Sequence, residues 1–561
     1  MKYFYSVVFA IICVTMFMSP EKTYANVYAS QLKVTNPDSS AFDGSFSDGT
    51  GALLSFFLND TASVVTVDVI DIATGTSVAT IDAGGLPAGP HSVAWDGTGS
   101  EGGKQYVFEI TAEQPCASTT KWSVFFDSGD INIFSRGCDV VTDMASPLFG
   151  LFYTPNNGGP LGKGIAVYNP DGSFHDPFLL APDLSSGGSI DWGGGDPMLS
   201  GLFDEEGRFY VSSINFGEIR RLNTDGTITA VVTGLTNPKG LYLVGTGADR
   251  VLYICDDTKV LRAAIGNKNV FSGTPETVGT FSNGFPRSIA IDDAGAMYVS
   301  FRINNDLAGN PVGLNKYNIS GTLPVTDNDA DWFLGSDVTF RVTDIIIDHG
   351  SDRTSDADDI LYYSTRAGDG TFDDGLWRVD DINFPFPTVS NLINEMDLYG
   401  NDNSANINDR TAIALDAAGN IIMMENSNEH VFFLSPPGEG ATNSFTTTGF
   451  DTIQVTTAVS VRENNTPEVE TYQLNANYPN PFNPSTTITY SLGNSGFTTI
   501  KIYNLLGKEI RTLFNGQQTN GRHSIVWNGQ DDSGSSVSSG VYVLRIQSGD
   551  FKQSIKMTLL K

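Results

Sequence analysis

The sequence is poor in the residues on which metal and redox chemistry most often depend. It holds four cysteines and five histidines among 561 residues. It contains no Cys-x-x-Cys, His-Glu-x-x-His or Gly-x-Ser-x-Gly pattern, and no phosphate loop of Walker spacing. These absences exclude the usual zinc-protease, serine-hydrolase and phosphate-loop interpretations. His175, His349 and His430 are isolated, and we expect each to be a surface or loop residue rather than a ligand.

Basic residues are also scarce. The chain has 32 Lys and Arg against 64 Asp and Glu, a formal net charge of −32. From residue 472 onward the balance reverses, with eight basic and four acidic residues, so the rest of the chain carries −36. An acidic body argues against binding to nucleic acid or to an anionic membrane surface. It suits a soluble extracellular protein.

Long apolar runs are confined to the N-terminus. Lys2 precedes an apolar stretch from Tyr3 to Met18 that is short for a membrane span, and Thr23-Tyr-Ala25 offers a small-residue cleavage site. Val27-Tyr-Ala29 is a second cleavage option. We predict a signal peptide at 1–25, no transmembrane segment afterwards and, given the length, three or more domains.

Three cysteines remain after such cleavage. In an exported protein Cys116 and Cys138 are a plausible disulfide closing a short loop. Cys255 lies within Leu252-Tyr-Ile-Cys255, a predicted core strand, and we expect it to be a buried inert thiol.

Both ends of the chain show alternating strands typical of small β-sandwiches. The segments 26–115 and 472–561 share a motif, His91-Ser-Val-Ala-Trp-Asp-Gly97 in the first and His523-Ser-Ile-Val-Trp-Asn-Gly529 in the second. This pattern resembles the Ig-like domain of the flagellar hook-capping protein. The matching positions of His91 and His523 favour structural roles for both.

The last segment carries a distinctive pair of motifs. It opens with Asn477, Tyr478, Pro479, Asn480, Pro481, Phe482, Asn483 and Pro484, and it closes with Lys556-Met-Thr-Leu-Leu-Lys561. This order resembles the type A sorting domain of the type IX secretion system of Bacteroidetes and related phyla. The resemblance implies the type IX machinery as partner, export to the outer-membrane surface or medium, and removal of the tail on arrival.

Between residues 117 and 461 a loose repeat combines an apolar strand, Asp-x-x-Gly and an aromatic strand. Its second strands align on Tyr153, Tyr210, Tyr253, Tyr298, Tyr362 and Ile422, at spacings of 43 to 64 residues. About six units of four short strands predict a β-propeller, because one blade cannot bury its own apolar faces but a closed ring can. We predict an all-β chain in which sandwiches flank the propeller, with a linker at 462–471. A strand within 120–135 is expected to close the ring.

The propeller's Pro238-Lys-Gly-Leu241 and Pro286-Arg-Ser-Ile289 segments resemble NHL-type and gluconolactonase-type propellers. Propellers bind ligands in the central channel, and the alignment places Lys239, Arg287 and Asp344 at its mouth. These charges could hold an anionic sugar or a carboxylate ligand. The alternative is that they pair with one another at a solvated rim.

Two acidic loops are candidate calcium sites. Asp327, Asp329 and Asp331 form one run, and Asp352-Arg-Thr-Ser-Asp-Ala-Asp-Asp359 forms another. Closely spaced carboxylates suit calcium, although neither run has the glycine and distal glutamate of a full EF-type loop. The alternative is a solvated acidic loop, so no cofactor is required.

The sequence leaves three functions open. The favoured one is an exported binding scaffold whose propeller takes a glycan or a surface protein. The second is a metal-dependent hydrolase or lyase acting on a sugar or lactone. The Glu/Asn/Asp metal set of lactone-hydrolysing propellers has no residue-by-residue match here, which argues against hydrolysis. The third is a purely structural surface component.

Overall fold

The computed structural model describes most of the chain between residues 27 and 559. The described residues are 27–36, 45–47, 51–115, 122–128, 137–158, 161–195, 198–268, 270–282, 284–302, 313–334, 342–350, 357–365, 375–394, 397–398, 412–425, 430–437, 442–449, 451–456, 473–474, 477, 480, 482, 486–492, 496–504, 507–518, 521–531, 535–549 and 551–559. They fall into two compact units, one within 1–34 and 44–456, the other within 35–43 and 457–561. The predicted signal peptide lies outside the described residues.

The N-terminal strands form a sandwich of two sheets. Its first strands are β1 Ala29–Thr35, β2 Ser45–Ser47, β3 Ala52–Leu58, β4 Ala62–Asp71, β5 Thr76–Leu86, β6 Gly89–Trp95 and β7 Gln105–Pro115. One sheet has the order β1-β3-β6, and the other contains β7-β4-β5. Trp95 packs edge-on against Tyr106 and Phe108 of the facing sheet. Alternating burial along β4, which the sequence pattern predicts, places Val65, Val67 and Val69 in this core.

The next 24 strands form six four-stranded sheets among the described residues. They are β8 Ser123–Asp127, β9 Asp139–Val140, β10 Phe152–Asn157, β11 Lys163–Tyr168, β12 Phe174–Leu180, β13 Met198–Phe203, β14 Phe209–Ser213, β15 Glu218–Leu222, β16 Ile228–Val232, β17 Pro238–Val244, β18 Val251–Asp256, β19 Lys259–Ala264, β20 Glu276–Thr280, β21 Phe285–Ile291, β22 Met297–Arg302, β23 Leu314–Tyr317, β24 Ala330–Leu334, β25 Val342–Asp348, β26 Ile360–Thr365, β27 Gly375–Asp380, β28 Thr388–Asn394, β29 Ala412–Leu415, β30 Ile421–Glu425 and β31 His430–Ser435. Each sheet is one propeller blade.

The blades follow one another along the chain and close into a ring. Five sheets run in sequence order, and the sixth has the order β29-β30-β31-β8. The innermost strand of each blade contacts that of the next, and β29 of the last blade contacts β9 of the first. The closing strand β8 lies within the predicted segment 120–135, and all six aligned residues from Tyr153 to Ile422 lie in second strands. Both predictions are confirmed.

The repeated Asp-x-x-Gly motif forms the turn between the first and second strands of a blade. In each of three blades the glycine N–H donates to the aspartate carbonyl, at 3.0 Å for Gly207 and Gly295 and 3.2 Å for Gly419. These glycines have φ values of 73°, 85° and 84°, a backbone conformation that residues with a Cβ atom rarely adopt. The aspartate side chain also accepts hydrogen bonds, as Asp292 does from Tyr298 Oη at 2.8 Å. The repeat is therefore a turn signal.

Two strands that follow the last blade return to the N-terminal sandwich. These are β32 Thr442–Thr448 and β33 Ile453–Thr456. β32 pairs antiparallel with β7, and β33 pairs with β2 and β7. The predicted propeller segment 117–461 thus includes strands that the structure places in the sandwich. Sequence pattern does not identify their pairing partner β7, which lies more than 300 residues away.

The C-terminal unit has its own core. Its strands are β34 Gln473–Leu474, β35 Thr486–Leu492, β36 Gly496–Asn504, β37 Glu509–Gln518, β38 Gly521–Trp527, β39 Gly540–Ser548 and β40 Phe551–Leu559, in sheets β34-β35-β38 and β37-β36-β39-β40. Trp527 Nε1 donates to Gln530 O at 2.9 Å, as Trp95 Nε1 does to Thr98 O at 3.0 Å. His523 lies opposite Tyr490 across the strand pair, as His91 lies opposite Phe56. The shared motif thus produces the same local structure in both sandwiches.

Helical structure is minor. The described residues include four short 3-10 helices, Leu184–Ser186, Ile214–Phe216, Gly247–Asp249 and Asp327–Asp329. No helix in the described part of the chain has both the length and the apolar character needed to cross a membrane.

Candidate functional site

The six innermost strands enclose a cavity of about 600 Å³ along the propeller axis. All six innermost strands or the loops that extend them contribute to its lining. The three predicted mouth residues Lys239, Arg287 and Asp344 lie on its wall, together with Leu199, Ser200, Gly240, Ser288 and Thr343. Much of the wall at these positions is polar, and the ligand-binding role of the three predicted residues stays a prediction.

One end of the cavity, where the innermost strands begin, carries two cations. Lys239 on β17 and Arg287 on β21 are both half-buried lining residues from adjacent blades. Lys239 Nζ lies 5.2 Å from the centre of the Phe285 ring, a cation–π contact. We call Lys239 and Arg287 the basic end. Both residues were predicted from the sequence to bind a ligand, and both line the same cavity.

Asp344, the third predicted mouth residue, is occupied by hydrogen bonds within the protein. Its Oδ1 accepts from Ser288 Oγ at 2.6 Å and from Ile345 N at 3.0 Å, and its Oδ2 accepts from Ile413 N at 3.0 Å. Burial raises its pKa to about 6, which these hydrogen bonds and the charge of Arg287 partly offset. Asp344 therefore links three adjacent innermost strands by hydrogen bonds, and these bonds support a structural role.

Asp139 provides a similar link between the first two blades. Its Oδ2 accepts from Phe203 N at 2.7 Å and its Oδ1 from Val140 N at 2.8 Å. Burial raises its pKa to about 7, and the negative charge of Asp344 adds to the rise. Both carboxylates thus accept hydrogen bonds from backbone N–H groups of the innermost strands, and buried N–H groups need such acceptors.

The opposite end of the cavity, where the innermost strands end, is acidic and contains a histidine. His349 follows β25, Asp293 lies in the turn after β21, and Asp359 precedes β26. His349 Nδ1 is 2.8 Å from Asp293 Oδ1 and 3.9 Å from Asp359 Oδ1. Tyr242 Oη and His349 Nε2 are 2.6 Å apart. We call Asp293, His349 and Asp359 the acidic cluster.

The acidic cluster has carboxylate oxygens without hydrogen-bond donors. Asp359 is only 3 % exposed, and its Oδ1 has no hydrogen-bond partner among the described residues. Asp293 Oδ2 is also buried without a hydrogen-bond partner among the described residues. Asp359 Oδ2, in contrast, accepts from Asp293 N at 3.1 Å. Burial raises the pKa of Asp359 to about 7, and the charges of Asp293, Asp292 and Asp358 add to it. Among the described residues, this is the group of three whose potential ligand atoms all lie within 4.8 Å of one another.

The predicted calcium run at 327–331 does not converge in this way. Asp329 Oδ2 accepts from both the N–H and the hydroxyl of Thr326 at 2.7 Å, which caps a 3-10 helix. Asp327 Oδ2 accepts from the N–H and hydroxyl of Ser282, and Asp331 is exposed on β24. Local hydrogen bonds therefore already occupy carboxylates that the sequence analysis assigned to calcium.

The predicted disulfide is not formed in this structure. Cys138 is a free thiol, buried in an apolar cluster with Val140 and Phe152, and Cys116 lies outside the described residues. Cys138 lies directly before β9 and its side chain packs into this cluster, which gives the physical reason. Cys255 is fully buried and free, as predicted, and burial raises its pKa.

In the C-terminal unit the described residues of the Pro/Asn motif bind the last strand. Asn480 Oδ1 accepts from Thr558 N at 2.9 Å, and its Nδ2 donates to Lys556 O at 3.2 Å. Phe482 is buried against Trp527, with ring centres 5.4 Å apart, and its N–H donates to Thr558 O. Asn477 Nδ2 donates to Thr486 Oγ1. The other motif residues, Tyr478, Pro479, Pro481, Asn483 and Pro484, lie outside the described residues.

The acidic cluster as a unit was not predicted from the sequence. His349 was expected to be a surface or loop residue, Asp359 was placed in a candidate calcium loop, and Asp293 was not singled out. A signal was available, because all three residues flank strands on the same edge of neighbouring predicted blades. The ends of such strands meet at the channel.

Comparisons with known proteins support the Ig-like assignment. The family model of the FlgD Ig-like domain matches residues 40–115 and 484–550, one segment in each sandwich. The predicted resemblance to the flagellar hook-capping domain is therefore confirmed for both ends of the chain. No curated protein matches this sequence.

Solved structures similar to the chain include several proteins of low sequence identity. PorZ, a surface component of the type-IX secretion system of Porphyromonas gingivalis, is 15% identical with a TM-score of 0.33, over 93% of this chain and 71% of its own. Virginiamycin B lyase from Staphylococcus aureus is 14% identical with a TM-score of 0.31, over 58% of this chain and 99% of its own. A gluconolactonase from Xanthomonas campestris is 11% identical with a TM-score of 0.37, over 57% of this chain and 99% of its own. The chain is thus an all-β protein with Ig-like segments at both ends and a propeller between them, which the strand pairing itself establishes.

Proposed function

We propose that this chain is an exported surface protein whose propeller channel binds a small anionic ligand, a carboxylate or an acidic sugar. The observation that carries the proposal is the pairing of Lys239 and Arg287 on the wall of one cavity of about 600 Å³. That volume lies within the range of small-molecule sites. Guanidinium and ammonium groups are the usual partners of carboxylates in such sites.

The structure of the mouth supports a binding role more than a plugged, purely structural channel. Asp344 is engaged with Ser288, Ile345 and Ile413. A carboxylate ligand at the basic end would therefore meet Lys239 and Arg287, while the carboxylate of Asp344, on which the charge of Arg287 acts, already has donors of its own. The local positive charge makes binding of an anion possible in a protein whose net charge is −32.

The test is calorimetric titration of the mature chain with glucuronate, with neutral glucose as control ligand and a chelator in the buffer. Lys239→Gln and Arg287→Gln should each weaken glucuronate binding at least tenfold. Lys259→Gln, an exposed lysine on β19 outside the channel, is the matched control and should bind as the unmodified protein does. Equal affinity in all four proteins, or equal binding of glucose, would refute the proposal.

We also propose that residues 472–561 direct export by the type IX machinery. The support is the pair of terminal motifs together with their contact, since Asn480 and Phe482 bond to Thr558 of the closing motif. Deleting 472–561 should leave the protein in the periplasm. Fractionation and surface labelling of cells measure this, and normal surface display of the truncated chain would refute it.

A metal-dependent hydrolase or lyase acting on a sugar or lactone is the second candidate. The acidic cluster favours it, because Asp293 and His349 line the same cavity as the basic end. Turnover of an acidic sugar or lactone that requires an added divalent metal and is lost in His349→Ala would establish this alternative. Binding without turnover leaves the scaffold function.

A further inference from the structure

Asp293 is distant in sequence from the other two residues of the acidic cluster but adjacent to them in space. Asp293 comes from the fourth blade, and His349 and Asp359 come from the loop between the first two strands of the fifth. No single turn or local motif explains their convergence. It follows from the ring, which places the ends of β21 and β25 side by side.

Their distances suit a tetrahedral metal site. The two separations from His349 Nδ1 are 2.8 Å to Asp293 Oδ1 and 3.9 Å to Asp359 Oδ1. Ligand atoms bound at about 2.0–2.2 Å in a tetrahedron lie roughly 3.4 Å apart. The separations of 2.8 and 3.9 Å fall on either side of that value, each within about 0.6 Å of it. The donor set would then be one imidazole nitrogen and two carboxylate oxygens.

A protonated His349 paired with Asp293 is the main competing explanation, and it accounts for only part of the geometry. Such a pair leaves Asp359 Oδ1 without a hydrogen-bond donor among the described residues, although Asp359 is only 3 % exposed. A buried carboxylate oxygen without a partner is costly. A divalent cation would bind this oxygen and His349 Nδ1 together.

The surroundings add negative charge and orient the histidine. Asp292 and Asp358 lie close enough to Asp359 to act on it electrostatically, while Lys316 Nζ is 3.7 Å from Asp292 Oδ2. Tyr242 Oη is 2.6 Å from His349 Nε2. Metal-binding histidines usually hydrogen-bond through the other ring nitrogen, which fixes the ring and its tautomer.

The donor types select the class of metal. Calcium prefers six to eight oxygen ligands, whereas imidazole suits zinc and its first-row neighbours. Asp293 and His349 line the cavity, so a fourth position would face the channel and remain available to water or a ligand. That is the arrangement of an open zinc site.

We propose that Asp293, His349 and Asp359 bind one divalent transition-metal ion, with zinc preferred over calcium, at the acidic end of the propeller channel. Tyr242 acts as the positioning residue for His349. The site is separate from the anion-binding residues of the basic end and does not depend on the function proposed for them.

The experiment is zinc titration of the metal-stripped full-length mature protein, by calorimetry and by competition with a chromophoric chelator. One zinc ion should bind per chain, and calcium at the same concentration should not compete. His349→Ala and Asp359→Asn should each weaken zinc binding at least 100-fold. Cobalt(II) should give the visible absorption of a four-coordinate ion, and this absorption should be lost in both variants.

His430→Ala is the matched control. His430 forms the same type of pair with Asp127, Nδ1 to Oδ1 at 2.7 Å, but it is not part of a group of three potential ligands among the described residues. It should retain full zinc affinity. The proposal is overturned if zinc does not saturate at one site, or if His349→Ala and His430→Ala bind it equally well. Circular dichroism and thermal melts confirm that each variant is folded, and Asp359→Asn preserves side-chain size should His349→Ala fold poorly.

Discussion

The two ends of the propeller channel differ in charge although the same strands form both. Where the innermost strands begin, Lys239 and Arg287 line the cavity, and where they end, Asp293 and His349 do so. The strands that connect these ends have seven residues in β17, β21 and β25, or roughly 20 Å at the usual rise per residue. The net charge of a chain therefore predicts little about the charge of an individual site. A chain with a charge of −32 can present a cationic and an anionic site in one cavity.

Carboxylates at the two ends also differ in how they are bonded. Asp344 accepts three hydrogen bonds from neighbouring strands, whereas Asp359 is buried with Oδ1 unpartnered. The first contributes to the stability of the ring. The second has the unsatisfied character expected of a ligand-binding group, since buried polar atoms in folded proteins are seldom without partners.

The largest effect is expected when the same substitution is made at both ends. Asp344→Asn leaves at least one of its donors without an acceptor and should lower the free energy of unfolding by about 2 kcal/mol. Asp359→Asn should leave the metal-free protein as stable as before or more so, because it removes one of several neighbouring negative charges. Differential scanning calorimetry of both variants with chelator measures this. Equal destabilisation would show that the two carboxylates have the same role.

A cross-titration tests whether the ends act independently. Arg287→Glu should weaken glucuronate binding more than tenfold, or about 1.4 kcal/mol, and should change zinc affinity less than twofold. Charges about 20 Å apart are largely screened at physiological salt, where the Debye length is about 8 Å. His349→Ala should give the reverse pattern in the same two calorimetric titrations. Loss of both glucuronate binding and zinc binding in either variant would contradict the separation of the sites.

Tyr242→Phe is expected to have a smaller effect. The substitution removes the hydroxyl that lies 2.6 Å from His349 Nε2 but keeps the ring. Loss of such an outer partner typically costs 10–100-fold in metal affinity, and we expect about tenfold with the stoichiometry unchanged. Competition titration with a chelator measures the shift. An unchanged affinity would mean that Tyr242 does not position His349.

The smallest effect concerns pH. Since burial raises the pKa of Asp139 from 3.8 to about 7, the folded state binds this proton more readily than the unfolded state does. The contribution of Asp139 to stability is therefore fully present below pH 4 and falls as the pH rises from 4 to 7. Asp139→Asn should reduce the difference in Tm between pH 5 and pH 8 by a few degrees. Exposed Asp143 gives the control, and Asp143→Asn should leave the difference unchanged.

Much of the fold could be predicted from local pattern. Alternation identified most strands, the Asp-x-x-Gly turns set the repeat, and the second-strand residues from Tyr153 to Ile422 aligned the blades. The return of β32 and β33 to β7 could not be predicted, because those residues lie more than 300 positions apart and alternation does not specify a partner. Lys239 and Arg287 were found because they occupy equivalent positions in adjacent repeats.

Local sequence patterns were sufficient to predict the all-β class, the paired Ig-like ends, the Trp95 and Trp527 motifs and the propeller, since each depends on patterns within a few tens of residues. The contacts of the charged residues, in contrast, follow from the folded arrangement of distant segments. It freed Cys138 from the predicted disulfide, engaged Asp344 and Asp329 in hydrogen bonds, and brought His349 to Asp293 and Asp359. The physical reason is that hydrogen bonds and metal sites depend on distances of a few ångströms between atoms, and closure of the ring sets those distances.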